Sequence, residues 1–191
     1  QDEKYLLGGS ADGSLNLWDT TTGNLLRRYQ GHSGAIQALA FSPDGKYFLS
    51  GAQDRTFKFW DIDSGKVIHD FQHDVGTISI STILTIANDT SFAASTEWKR
   101  VKLWDLRSGT LLRTLDCQIG NIQRVMISPN NSRMYCCDQD EMIEVWDLVN
   151  YRILYSGKPG DIPSDAILRS IEGHDTSIDL TLIAPDGNTA I

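Results

Sequence analysis

The dipeptide Trp-Asp occurs four times, as Trp18-Asp19, Trp60-Asp61, Trp104-Asp105 and Trp146-Asp147, at intervals of 42, 44 and 42 residues. A period near forty residues marks a unit too small to bury its own apolar surface, which must stack on copies of itself. Ahead of each copy lies an alternating triplet: Leu15-Asn16-Leu17, Phe57-Lys58-Phe59, Val101-Lys102-Leu103 and Ile143-Glu144-Val145. A period of two predicts β-strand. After each copy comes a turn, such as Thr20-Thr21-Thr22-Gly23, Asp63-Ser64-Gly65 or Arg107-Ser108-Gly109, then an apolar pair: Leu25-Leu26, Val67-Ile68, Leu111-Leu112 or Ile153-Leu154. A turn glycine supplies the positive φ that closes a hairpin, so the flanking runs are expected to pair antiparallel. Ile36-Gln37-Ala38-Leu39-Ala40-Phe41 leads through Ser42-Pro43-Asp44-Gly45 into Tyr47-Phe48-Leu49, a second strand-turn-strand. Each repeat is thus expected to hold four short strands.

On these residues the chain resembles the WD40-type β-propeller family, in which each four-stranded antiparallel repeat forms one blade of a ring. The second repeat carries the fullest set, with Gly31-His32, Ser42-Pro43-Asp44-Gly45, Ser50-Gly51, Asp54 and Trp60-Asp61, and Gly173-His174 with Pro185-Asp186-Gly187 opens another copy. The resemblance implies an all-β fold of about four and a half blades, a slice of a longer ring. The blades are expected at 1–30 (partial), 31–72, 73–116, 117–172 and 173–191 (the start of the next). The remainder of its own polypeptide is then the first partner, because open first and last strands promote association.

The chain is acidic, with a net charge of −8. Phosphate binding needs clustered Lys and Arg, so nucleic acid is not an expected partner. No apolar run reaches the roughly eighteen residues of a membrane span, and no signal-peptide pattern is present. Cys117, Cys136 and Cys137 are odd in number and lack metal-ligand spacing, which fits a reducing intracellular compartment, cytoplasmic or nuclear. Cys136 and Cys137 fall where the second repeat has Ser50 and Gly51, so they are expected on a buried strand. Two glycosylation sequons, Asn88-Asp89-Thr90 and Asn130-Asn131-Ser132, lie at predicted turns and do not outweigh the thiols. His69-Asp70 and His73-Asp74 do not converge as a metal pair, and no cofactor is implied.

His32, Ser50 and Asp54 have the residue types of a nucleophilic triad, but no oxyanion hole or nucleophile elbow accompanies them. The resemblance implies a structural tetrad instead: His32 bridges Ser50 and Asp54, and Ser50 meets the indole N–H of Trp60. By register the first repeat keeps Asp12 and Trp18 but has Gly8 for the serine, and the fourth has Gln118, Cys136, Asp140 and Trp146. In the third only Trp104 is kept, with Asp74, Ala94 and Trp98 in the other three positions. Two placements are open for Trp98. It either folds inward to fill the space left by shorter side chains, towards which the sequence leans, or stands out beside Lys99 and Arg100 in a turn that such propellers expose on their top face. Trp and Arg are the types most enriched in binding hot spots.

A second departure is an insertion. From Trp146 to Gly173 the distance is 27 residues, against 13 from each earlier Trp to the matching position, which places a loop at roughly 157–170. Its residues Asp161, Ile162 and Asp165 share the expected top face, and long loops on rigid scaffolds often carry binding. Trp104-Asp105-Leu106-Arg107 matches the Trp-Asp-x-Arg pattern of propellers that serve cullin-RING ubiquitin ligases, which singles out Arg107. The leading expectation is a non-catalytic scaffold that binds a protein or peptide through Trp98, Lys99, Arg100 and the inserted loop. The alternatives are a regulatory propeller attached to a catalytic or nucleotide-hydrolysing domain, and a ligase substrate receptor. An enzyme within the blades has no convergent acid, base or metal set to support it.

Overall fold

The computed structural model describes residues 4–72 and 84–161. The chain divides into two compact units, Gln1–Leu84 and Thr85–Ile191. In the first unit β1 (Tyr5–Gly9), β2 (Leu15–Asp19) and β3 (Leu25–Tyr29) form one sheet. β4 (Ile36–Phe41), β5 (Tyr47–Ala52), β6 (Thr56–Asp61) and β7 (Val67–Gln72) form another. The second unit adds β8 (Leu84–Ile86), β9 (Phe92–Glu97), β10 (Arg100–Asp105) and β11 (Leu111–Asp116) as a third sheet. β12 (Ile122–Ile127), β13 (Arg133–Asp138), β14 (Ile143–Asp147) and β15 (Arg152–Gly157) make the fourth. In every sheet the strands lie side by side in chain order, as antiparallel blades of a WD40-type propeller.

The Trp-Asp dipeptide has a local structural cause. Its aspartate closes the turn that follows: Asp19 Oδ1 accepts the Thr22 N–H at 2.7 Å, Asp61 Oδ1 that of Ser64 at 2.7 Å, Asp105 Oδ1 that of Ser108 at 2.7 Å and Asp147 Oδ1 that of Val149 at 2.9 Å. The tryptophan sits at a bulge, since the pairing of each Trp-bearing strand with the strand that follows it slips at Leu17/Trp18, Phe59/Trp60, Leu103/Trp104 and Val145/Trp146. One extra residue there bends the strand and increases its twist.

Burial completes each unit. In the first, Leu15, Leu17 and Tyr29 of one sheet cluster with Phe48, Trp60 and Ile62 of the next. Phe48 stacks on Trp60 at 5.7 Å between ring centroids, and Tyr29 meets Phe48 edge-on at 5.0 Å. In the second, Tyr135, Cys137, Ile143 and Val145 form a buried cluster with Met126, Leu154 and Tyr155 packed on it. Burying one such side chain contributes roughly 1.5–3 kcal/mol. The polar middle residue of the alternating triplet is also buried in three repeats, as Lys58, Lys102 and Glu144. A half-exposed strand would have left it in water.

Candidate functional site

The tetrad of the second repeat assembles around Ser50. Its hydroxyl lies 2.7 Å from His32 Nε2 and accepts the Trp60 indole N–H at 2.8 Å. His32 Nδ1 is 3.0 Å from Asp54 Oδ2, and that carboxylate also accepts the backbone N–H of Ser33 at 2.9 Å. Burial works against the Asp54 charge, but the Ser33 and Thr56 donors and His32 outweigh it and hold the carboxyl below its ordinary range. Ser50 is 0% exposed, so no substrate reaches its hydroxyl. The network satisfies buried polar groups that would each cost about 1–3 kcal/mol if left unpaired.

The third repeat corrects the sequence register. The Trp104 indole donates to Ser95 Oγ at 2.9 Å, so Ser95 and not Ala94 holds the serine position. The cause is a shorter hairpin: Gly51 pairs with Phe57, whereas Thr96 pairs with Val101. One loop residue fewer moves every count across the turn by one. Ser95 pairs with Lys102, as Ser50 pairs with Lys58. Lys102 Nζ forms a buried ion pair with Glu97 Oε2 at 2.9 Å, while Lys58 Nζ engages Asp70 on the outer strand.

In the fourth repeat Cys136 pairs with Glu144 at the same position. Asp140 stands in the register of Asp54, but the acceptor is Asp138, whose Oδ2 takes the Gly120 N–H at 2.6 Å. Glu144 is 0% exposed; its Oε2 accepts the N–H groups of Gln118 at 2.8 Å and Ile119 at 3.3 Å. Trp146 Nε1 and Glu144 Oε1 are buried without a hydrogen-bond partner among the described residues. Burial raises the Glu144 carboxyl above its ordinary range, against the pull of the two amide donors and of the nearby Trp146 indole. Cys117, Cys136 and Cys137 are buried free thiols. A hydrogen bond with Cys117 and burial push Cys136 well up, and burial pushes Cys137 up to about 11. Protonated thiols are poor nucleophiles. In the first repeat Gly8 stands in the serine position because a Cβ there would lie 2.8 Å from the Trp18 ring.

Trp98 does not fold inward; it is 55% exposed. Glu97 pairs with Arg100 across a two-residue turn, Trp98-Lys99, which is too tight to return the indole to the core. Trp98 has φ of 57°, a left-handed conformation that disfavours large side chains. Two backbone bonds hold it: Cys117 N–H donates to the Lys99 carbonyl at 2.8 Å and Ile122 N–H to that of Trp98 at 3.3 Å. Lys99 and Arg100 flank the indole as exposed cations, and Arg100 Nε donates to Asp116 Oδ1 at 2.9 Å. Asp161 ends a short 3₁₀ turn, Pro159–Asp161, and is exposed. Ile162 and Asp165, like Asp74 and the Gly173-His174 copy, lie outside the described residues. Arg107 is exposed in the turn after β10, where its backbone N–H donates to Asp105 Oδ1 at 2.8 Å.

Stacked blades, a buried Ser-His-Asp-Trp network and a bulge at the Trp of each Trp-Asp define a class, the WD-repeat propellers. The family model described as "WD domain, G-beta repeat" matches residues 1–19, 23–61 and 109–147, about half of the chain. The chain belongs to the WD40 family. It is similar to target of rapamycin complex subunit wat1 of Schizosaccharomyces pombe, 25% identical over 187 residues, covering 91% of this chain and 55% of that protein. It is also similar to nuclear distribution protein nudF 1 of Talaromyces marneffei, 33% identical with 75% of this chain and 36% of that protein covered. A shorter match, 44% identical over 43 residues, reaches the U5 small nuclear ribonucleoprotein 40 kDa protein of Pongo abelii, with 22% of this chain and 12% of that protein covered. The chain thus spans about half the length of wat1 and about a third of nudF 1.

Proposed function

We propose that this chain is part of a non-catalytic, intracellular interaction scaffold that binds a protein or peptide at the end of its blades carrying Trp98, Lys99 and Arg100. The observation that carries this is Trp98: an exposed indole held by two backbone bonds in a conformation costing about 1–2 kcal/mol for a residue of its kind. The other blades place Gly13, Arg55 and Glu141 in the left-handed position of the matching turn, so what sets the third blade apart is the large exposed aromatic side chain held there. A preformed anchor also loses little freedom on binding. The names of the relatives support the class, since wat1 is a complex subunit. Asp161, Ile162 and Asp165 of the inserted loop are assigned to the same surface, and the rest of the polypeptide to completing the ring.

The test is Trp98→Gly in the full-length protein, because glycine accepts the same φ and isolates the indole. Captured partners are compared by mass spectrometry and folding by thermal melting. One or more partners should disappear while the variant melts at or above the wild-type temperature. An unchanged set of partners removes Trp98 from the binding surface, and a variant that no longer melts cooperatively makes the indole a packing element.

A further inference from the structure

A second aromatic residue with left-handed backbone lies at the other end of the second unit's sheets. In the turn after Trp-Asp, glycine takes the left-handed position in three repeats, as Gly23 (φ 69°), Gly65 (72°) and Gly109 (73°), but the fourth has Tyr151 at 53°. Glycine suits this turn better, so a tyrosine here works against the local backbone. Tyr151 is 37% exposed, and Val149, two residues earlier, is 71% exposed. The corresponding residues of the second repeat are Gly65 and Asp63.

The surroundings are apolar and cationic. The Arg113 guanidinium of β11 lies 4.3 Å from the centroid of the Tyr151 ring. Leu111 and Leu112, next to Arg113 on the same strand, are both exposed. Arg152 follows Tyr151 and is itself exposed; Asp147, 3.5 Å from its Nε, is mostly covered and occupied in capping the turn. The first unit has the same bridge between neighbouring sheets without an aromatic residue. There Arg27 Nη2 donates to the Asp63 carbonyl at 2.9 Å, and a Cβ on Gly65 would come within 2.7 Å of that guanidinium. Joining the blades therefore requires no side chain at the position of Tyr151.

We infer that Val149, Tyr151, Leu111 and Leu112 form a second docking surface, for an extended peptide segment combining aliphatic and acidic residues. The apolar side chains take the aliphatic groups. Arg113 and Arg152 select carboxylates, which guanidinium binds in a two-pronged geometry. Charge complementarity decides the occupant: in a chain of net charge −8, a locally cationic apolar patch draws an acidic segment that the rest of the surface repels.

The test pans a displayed library of random short peptides on the full-length protein. Each selected peptide is then measured on wild type, on Trp98→Gly, on Val149→Ser and on the double variant Val149→Asp, Tyr151→Gly, which rebuilds the turn of the second repeat. Glycine removes the backbone outlier, so the double variant should melt no lower than wild type. Selected peptides should carry Asp or Glu beside aliphatic residues and bind Trp98→Gly as they bind wild type. They should bind the double variant on the order of tenfold more weakly. Val149→Ser alone, at a position 71% exposed, should weaken binding in the same direction without touching the backbone. No enrichment, enrichment without carboxylates, or undiminished binding to Val149→Ser and the double variant overturns the assignment.

Discussion

Single residues decide how each blade handles the same buried polar position. Ser50 joins Trp60 to His32, Ser95 meets Trp104, and Cys136 leaves Trp146 without a hydroxyl to meet. Glu144, paired opposite Cys136, is buried there at an electrostatic cost. Its unfolded carboxyl titrates near 4.5 and its folded one higher, because burial disfavours the charge. Its contribution to stability is therefore complete below the unfolded value and is lost as pH rises through the folded one. Glu144→Gln keeps an acceptor for the Gln118 and Ile119 amides and removes the charge. Its melting temperature should match wild type near about pH 4 and exceed it increasingly towards neutrality, as thermal melts across that range would show. The same scale shows what could be read in advance. Cys136 opposite Glu144 follows from counting back from Trp146, whereas Ser95 was missed because the shortened hairpin leaves no mark in composition. The job of Asp54 passing to Asp138 was equally hidden, since only coordinates show which carboxylate the Gly120 amide meets.

At the scale of elements, the repeated unit is a hairpin closed by the aspartate of Trp-Asp. Hydrogen bonds from the turn hold Asp19, Asp61, Asp105 and Asp147 below the ordinary carboxylate range: the backbone of Thr22 leads at Asp19, the side chain of Ser64 at Asp61, the backbone of Ser108 at Asp105 and the side chain of Asn150 at Asp147. A lowered folded value gives stability that is present above the unfolded pKa of about 3.9 and lost as pH falls through the folded value. The chain should thus lose stability in acid in proportion to the number of these turns. Asp61→Asn, which no longer titrates, should flatten the dependence of melting temperature on pH below about 4. Strand identity was legible here because alternation and turn glycines repeat four times. The burial of Lys58, Lys102 and Glu144 was not, because the alternating pattern of one strand cannot report what folding packs over its polar face.

At the scale of the whole molecule, the two sheets of the first unit hold together by burying aromatic and aliphatic side chains against each other. Phe48 is fully buried between Tyr29 and Trp60, so Phe48→Ala should cost about 3–5 kcal/mol. Denaturant unfolding measures this directly, and a loss below about 1 kcal/mol would mean that the interface between these sheets is not where the first unit gains its stability. Among the described residues, the exposed aromatic side chains with left-handed backbone, Trp98 and Tyr151, lie at opposite ends of the second unit's strands, so the two proposed sites are separate. The sequence by itself determined the repeat, the strand order within it, the hairpin turns and the family, because all of these are local patterns written several times over. Tertiary structure alone decided that Trp98 faces outward, that Ser95 meets Trp104 and that the Arg113 guanidinium lies over the Tyr151 ring. Each of these depends on a loop one residue shorter or on a neighbouring strand brought into contact by folding, and neither is encoded in the period of the chain.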